Sequence, residues 1–204
     1  MEEKIIDICT SNSHIFARTN TMKVLFWGKN ENMNLGKENL GTSIAVPTKM
    51  QYLNRIRILM IQTNQFFSVA LTKKYFLVWG SISKDKNQPP ITIFPPIKLF
   101  FPESVFFSDI SFYLLYSRNI VLMLKDGSVC ILEAIDSGFD KTLFKGKKFV
   151  DINVFGSSVY LMRVKKLYRV FKEEQKWLIS KKERTDFPPY LPFDVMRFNF
   201  PVSG

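Results

Sequence analysis

A chain of 204 residues with 46% apolar content has ample material for a packed core, so a disordered tail is excluded. Its formal charge of +11 favours acidic partners, and the start, Met1-Glu2-Glu3-Lys4, lacks the basic and apolar regions of a secretory signal. The richest apolar stretch, Phe106 to Leu124, is broken by Asp109, Arg118 and Asn119, which excludes it as a membrane span and leads us to expect a soluble intracellular protein.

From the N-terminus, strand-like runs come in sets. The first set reads Ile5-Ile6-Asp7-Ile8-Cys9, then Ser13-His14-Ile15-Phe16-Ala17-Arg18, then Lys23-Val24-Leu25-Phe26-Trp27-Gly28. The second reads Ile56 to Ile61, then Phe66 to Thr72, then Tyr75-Phe76-Leu77-Val78-Trp79-Gly80. In the third, Asn119 to Leu124 and Val129 to Leu132 flank Lys125-Asp126-Gly127-Ser128, where Asp-Gly signals a tight hairpin because Gly accepts the positive φ of the turn. The fourth runs Phe149 to Val154, Ser158 to Val164 and Leu167 to Phe171, and its opening Phe-Val-Asp-Ile parallels Ile-Ile-Asp-Ile of the first.

The two Trp-Gly pairs stand 52 residues apart, a period that signals a solenoid or propeller rather than a single enzyme core. Approximate repeats are 1–52, 53–104, 105–148 and 149–204, together one repeat domain. Proline-bearing connectors separate them: Val46-Pro47-Thr48, Pro89-Pro90 through Phe94-Pro95-Pro96-Ile97, and Phe187 to Phe193. Proline cannot donate to a sheet ladder, so these are edge strands or loops. The segment Glu173 to Arg184 fits either a helix or an outer strand followed by a charged loop. Twenty Phe against nine Gly reflects either nucleotide bias in the source genome or selection.

This pattern resembles the repeat of the regulator of chromosome condensation family: an apolar strand, a Ser-His turn, an Ala-Leu strand, and a strand ending in Trp-Gly. The resemblance is carried by Asp7-Ile8-Cys9, Ser13-His14, Ala17, Lys23-Val24, Trp27-Gly28, Asn30, Leu35-Gly36 and Val46-Pro47-Thr48. The second copy keeps Val69 to Thr72 and Trp79-Gly80, with Gln65-Phe66 where Ser-His would stand. The third carries Leu132-Glu133, and the fourth Phe171-Lys172, in place of Trp-Gly. The resemblance implies an all-β fold, a β-propeller-like array of about four antiparallel blades. Because the family's propeller has seven, such an array is a partial or degenerate ring: part of a longer protein, completed by a partner, or an open relative.

Candidate functional residues are few. His14 is the only histidine, and Ser11-Asn12-Ser13 beside it supply hydroxyls without a triad, so a structural hydrogen bond at the family's recurrent turn histidine is expected rather than catalysis. Trp27 and Trp79 are expected to pack between blades, with Gly28 and Gly80 permitting a close backbone approach. Asp126 and Gly127 form the expected hairpin turn. Cys9 and Cys130 sit in apolar runs as buried reduced thiols and form no metal or redox motif. Gly36-Lys37 lacks the preceding glycine of a phosphate loop, and neither a cofactor nor a small-molecule substrate is evident.

The basic residues concentrate late: 13 Lys or Arg against four Asp or Glu between Lys141 and Arg184. Lys145, Lys147, Lys148, Lys165, Lys166, Arg169, Lys172, Lys176, Lys181, Lys182 and Arg184 form a candidate surface for an acidic partner. Glu173, Glu174 and Glu183 dilute it, and solvated loops would carry the same charges. Three functional readings follow: a non-enzymatic protein-interaction scaffold, a guanine-nucleotide exchange factor for a Ran-type small GTPase as the resemblance allows, and a basic module associated with chromatin or nucleic acid. Nucleus and cytoplasm fit equally.

Overall fold

The computed structural model describes residues 2–30, 33, 35–36, 43–53, 56–82, 91–103, 105–117, 119–135, 138–144, 148–155, 158–163, 166–173 and 176–182. The strands form four antiparallel sheets, each of four strands in chain order. The first holds β1 (Ile5–Thr10), β2 (His14–Thr19), β3 (Val24–Lys29) and β4 (Ser43–Lys49). The second holds β5 (Met60–Thr63), β6 (Phe67–Leu71), β7 (Tyr75–Ile82) and β8 (Ile91–Phe100). The third holds β9 (Ile110–Tyr116), β10 (Asn119–Leu124), β11 (Val129–Ile135) and β12 (Gly138–Phe144). The fourth holds β13 (Asp151–Phe155), β14 (Ser158–Arg163), β15 (Lys166–Glu173) and β16 (Lys176–Lys182). The first strands converge, β1 on β5 and β5 on β9, so the sheets stack face to face around an inner axis as the blades of a partial propeller.

Three apolar joints hold the stack. In the first, Phe16, Val24 and Phe26 pack against Ile61, Ala70, Leu77 and Trp79 of the second sheet. The other face of the second sheet, with Phe67, Val69 and Val78, meets Ile120, Leu122 and Cys130 of the third. The third joint sets Val121, Val129 and Ile131 against Ile152, Val159 and Leu161. This sandwiching explains why β6 and β10 are buried at every position, Ser68 and Asn119 included, and why neither alternates apolar with polar residues. By contrast β1, covered on one face only, keeps Ile8 59% exposed.

Hydrogen-bond register aligns the four copies. Ile15 opposite Trp27 corresponds to Ser68 opposite Trp79, Ile120 opposite Leu132 and Val159 opposite Val170. The β1–β2 hairpin and its three counterparts give the same alignment. Two sequence assignments are thereby corrected by one residue. The counterpart of His14 in the second copy is Phe67, which faces Gly80, so Phe66-Phe67 rather than Gln65-Phe66 stands at the Ser-His place. In the fourth, Val170-Phe171 rather than Phe171-Lys172 replaces Trp-Gly. An apolar pattern can slide by one residue without altering composition, and only the ladder pairing resolves the slip.

Glycine follows both tryptophans for a geometric reason. Gly28 and Gly80 have φ of 107° and 114°, and each lies where the ladder to the outermost strand shifts register. A Cβ at Gly28 would sit 2.5 Å from the Ser13 carbonyl oxygen, and one at Gly80 would sit 2.7 Å from Phe67 Cα. A bulge with left-handed backbone, pressed against the start of the neighbouring strand, admits only glycine.

Pro47 lies in β4, and Pro95 and Pro96 in β8, both outermost strands where a missing N–H costs no ladder bond. Pro89-Pro90 and 187–193 lie outside the described residues. The segment that fitted either helix or strand is β16 over Lys176–Lys182, because it completes the ladder to β15. At the Asp126-Gly127 hairpin, Asp126 Oδ1 accepts the Ser128 N–H at 2.8 Å while Gly127 N–H donates to Leu124 O at 2.9 Å. No helix among the described residues is long and apolar enough to cross a membrane.

Candidate functional site

The densest polar cluster lies in the first joint. Ser11 closes the turn before β2: its Oγ accepts N–H bonds from Ser13 and His14, both at 3.2 Å. That turn aims the His14 ring into the joint, where Nε2 lies 2.5 Å from Thr63 Oγ1 and Nδ1 lies 2.8 Å from Ser11 Oγ. Thr63 Oγ1 is in turn 2.8 Å from Ser68 Oγ, and the ring meets Phe16 edge-on at 5.8 Å between centroids. His14 is only 2% exposed, and burial pushes its pKa down to about 4. The imidazole is therefore neutral, donating from one nitrogen and accepting at the other. A chain of hydroxyls and one neutral ring bridges two sheets and has the parts of a clamp.

A second cluster, on the inner strands, was not foreseen from sequence. Asp7 and Arg18 face each other across β1 and β2, with Nη2 and Oδ2 3.5 Å apart and each side chain about one-sixth exposed, 16% and 17%. Arg18 Nη1 also donates to the Ile58 carbonyl at 3.3 Å, tying the first sheet to the second. Cys9 shares that face; desolvation, with a minor contribution from the Asp7 carboxylate against a backbone bond at Thr63, pushes its thiol up to about 12. Cys130 is fully buried, and neither cysteine is in a disulfide. From the third sheet, the buried Tyr113 hydroxyl donates to Val69 O at 2.8 Å, with Met60 O at 3.3 Å. The signal for the ion pair was present: Asp7 and Arg18 occupy positions that alternation assigns to a buried face, and opposite charges there demand pairing.

Trp79 has no exposed surface and presents its indole to Phe16 edge-on at 5.8 Å, so it bridges sheets. The Leu35-Gly36 turn covers it, for a Cβ at Gly36 would meet the indole at 3.0 Å. Trp27 holds the same register position but is only half-buried. Among the described residues no group of three or more His, Cys, Asp or Glu could hold a metal ion.

Among the described residues, the basic candidates of the fourth sheet occupy backbone positions on both of its sides. Lys145, Lys147, Lys165 and Arg184 lie outside the described residues. Lys148 is exposed before β13. Along β15 and β16, backbone positions 166, 172 and 181 fall on one side of the sheet and 169, 176 and 182 on the other. Arg169 lies opposite Tyr160 and is half-buried.

Fold and joints together define a β-propeller-type repeat array. No family model and no curated protein matches the sequence. Among solved structures, the fold is similar to yeast RCC1 (Prp20) solved with Kap60 bound, at TM-score 0.64 and 16% identity over 82% of this chain and 43% of that one. Human WBSCR16 is similar at TM-score 0.56 and 14% identity, over 74% and 42%. The WD40 domain of SCAP from fission yeast follows at TM-score 0.50 and 8% identity, over 88% and 44%. These likenesses support the resemblance to RCC1-type repeats at the level of fold, and the chain spans less than half the length of each.

Proposed function

We propose that this chain is a non-enzymatic interaction module in which a stack of propeller blades presents loops and outer edges to a protein partner. The observation that carries this reading is where the reactive side chains are spent. The sole imidazole is neutral and bonded across the first joint, the Cys9 thiol is held protonated, and the Asp7–Arg18 pair is bonded inward. Rigid scaffold with chemistry turned inward suits recognition at loop ends. The similar yeast RCC1 was solved with Kap60 bound, which makes a protein partner the natural class. Affinity purification of the tagged protein, with and without nucleotide stripping by chelator, tests it. A stable assembly in both conditions supports a scaffold, and a small GTPase enriched only on stripping supports nucleotide exchange. Recovery of no stoichiometric protein overturns the reading.

The charge of the last repeat favours a second reading, an acidic or nucleic-acid partner. Because the strand positions divide between two sides of the fourth sheet, only one subset with the exposed Lys148 can meet one polyanion. Binding that falls steeply with salt, and that is lost on reversing charge either at Lys166, Lys172 and Lys181 or at Arg169, Lys176 and Lys182 but not at both sets, supports it; salt-insensitive binding rejects it.

A further inference from the structure

The outer flank of the second sheet carries charge of one sign. Between Glu38 and Glu103 the sequence holds eight Lys or Arg and a single acid, Asp85. Lys73, Lys74 and Lys98 are exposed, and among the described residues none of them has a carboxylate within ion-pair distance. Lys73 and Lys74 form the turn into β7, and Lys98 stands on β8 opposite Leu77.

Aromatic rings run along the same flank. By alternation, Lys98 and Phe100 share a side of β8 with Tyr75 and Leu77 of β7, the side that faces the first joint. Phe100 meets Tyr75 edge-on at 5.8 Å between centroids, and Lys98 Nζ sits 5.1 Å from the centre of the Tyr75 ring. Further along β8, Phe94 meets Tyr52 edge-on at 5.2 Å; Tyr52 belongs to the Gln51–Leu53 turn that follows β4. Phe100 is 66% exposed and Tyr52 50%, while Leu53 and Leu77 beneath them are buried. Exposed rings with cations among them make a patch of the kind that marks an interaction site. The two ring pairs stand at most roughly 20 Å apart along β8, within the reach of a short extended segment.

We propose that this strip docks an acidic peptide segment carrying apolar side chains, which sit on the ring pairs while its carboxylates meet Lys73, Lys74 and Lys98. Charge complementarity selects the occupant, because lysines without ion pairs beside apolar rings are matched by carboxylates flanking apolar side chains. Pro95 and Pro96 remove two N–H donors from β8, so side chains rather than strand addition carry the contact. Stacked nucleic-acid bases fit less well, since the rings meet one another edge-on and Lys98 already covers a face of Tyr75. The residues of the strip all come from the second sheet and the turn that leads toward it. The assignment rests on the interaction-module reading and gives that module a surface and a partner chemistry.

Panning a random peptide display library on the purified full chain, followed by fluorescence anisotropy with a synthetic copy of an enriched peptide, is the test. Enriched sequences are expected to carry several Asp or Glu around aromatic or aliphatic residues. Tyr52→Ser combined with Phe100→Ser weakens the synthetic peptide roughly tenfold or more, and Lys98→Glu does the same. Lys125→Glu, an equal change of charge at the exposed hairpin turn of the third sheet, leaves the affinity within about twofold. Lys98→Glu decides the matter where the serine variant loses the β-rich circular dichroism of the wild type. No enrichment, enriched peptides without acidic residues, or equal affinity in all variants overturns the assignment. So does a labelled single-stranded oligonucleotide that binds as tightly and with the same sensitivity to the variants. Where the peptide result fails yet affinity purification still recovers a stoichiometric protein, the docking strip falls and the interaction module stands.

Discussion

His14, the only histidine of the chain, makes stability depend on pH between about 7 and 5. Carboxylates titrate mainly below pH 5. Its pKa is near 6.5 when exposed and about 4 in the folded chain, because the charged form would be desolvated in the first joint. As pH falls, the unfolded chain takes up the proton first, so protonation pulls the equilibrium toward unfolding. The contribution is fully present above pH 6.5 and is lost progressively as pH falls toward 4. Integrating the linkage between these values gives a loss of about 2 kcal/mol from pH 7 to pH 5, and about 3 kcal/mol in the limit. Urea unfolding followed by tryptophan fluorescence at pH 7, 6 and 5 measures it. The comparison variant is His14→Phe, since Phe67 holds the same register position in the second sheet. At pH 7 the variant loses the bonds to Ser11 and Thr63 and costs about 1–2 kcal/mol, while Thr63 keeps Ser68. Between pH 7 and 5 its stability is nearly flat, so the two proteins converge and then cross. Parallel pH profiles for wild type and variant, or a ring titrating near 6.5 by NMR in the folded state, would refute the reasoning.

Trp79→Ala is expected to cost about 3–5 kcal/mol, by emptying the first joint, whereas Trp27→Ala costs about 1 kcal/mol; urea midpoints at constant slope compare them. Gly80→Ala forces a Cβ to 2.7 Å from Phe67 Cα at a φ of 114°, and destabilises by about 1–3 kcal/mol by the same measurement, with an unchanged midpoint as the refuting result. Cys9, with its thiol pushed up to about 12, resists iodoacetamide at pH 8 in the folded protein and is alkylated readily in urea. Rapid native labelling at Cys9, mapped by mass spectrometry, would show that its thiolate is accessible.

Much of the architecture could be read because the repeat spells it out locally. Trp-Gly, Asp-Gly and the edge prolines each encode a backbone constraint that acts within a few residues, and all three stand where those constraints place them. Period-two patterning gave no guide where a strand is buried on both faces. Phe67 to Leu71 and Asn119 to Leu124 show no alternation, which is why the second copy could be misaligned by one residue. The polar clusters were hidden for a different reason. Thr63 lies 49 residues from His14, and Ile58 lies 40 from Arg18, so neither bond exists until two sheets stack. Their partners are a threonine hydroxyl and a backbone carbonyl, groups that carry no signature of their own.

The same reasoning orders the four copies by function. Trp79 stands where the second sheet receives Phe16, and its register position is held by the half-buried Trp27 in the first copy, Leu132 in the third and Val170 in the fourth. A buried indole contributes more packing surface than leucine, so Trp79 is expected to make the first joint stiffer than the second, where Leu132 holds the position. The last sheet is also where buried Phe26, Val78 and Ile131 give way to Arg169 and where lysine accumulates. Apolar packing that weakens along the chain while charge rises leaves the fourth sheet as the part of the array that can exchange an internal contact for an external one. Native-state hydrogen exchange makes this measurable: amides of β14 and β15 are expected to open at lower free energy than those of β6 and β10, and the reverse order would refute it.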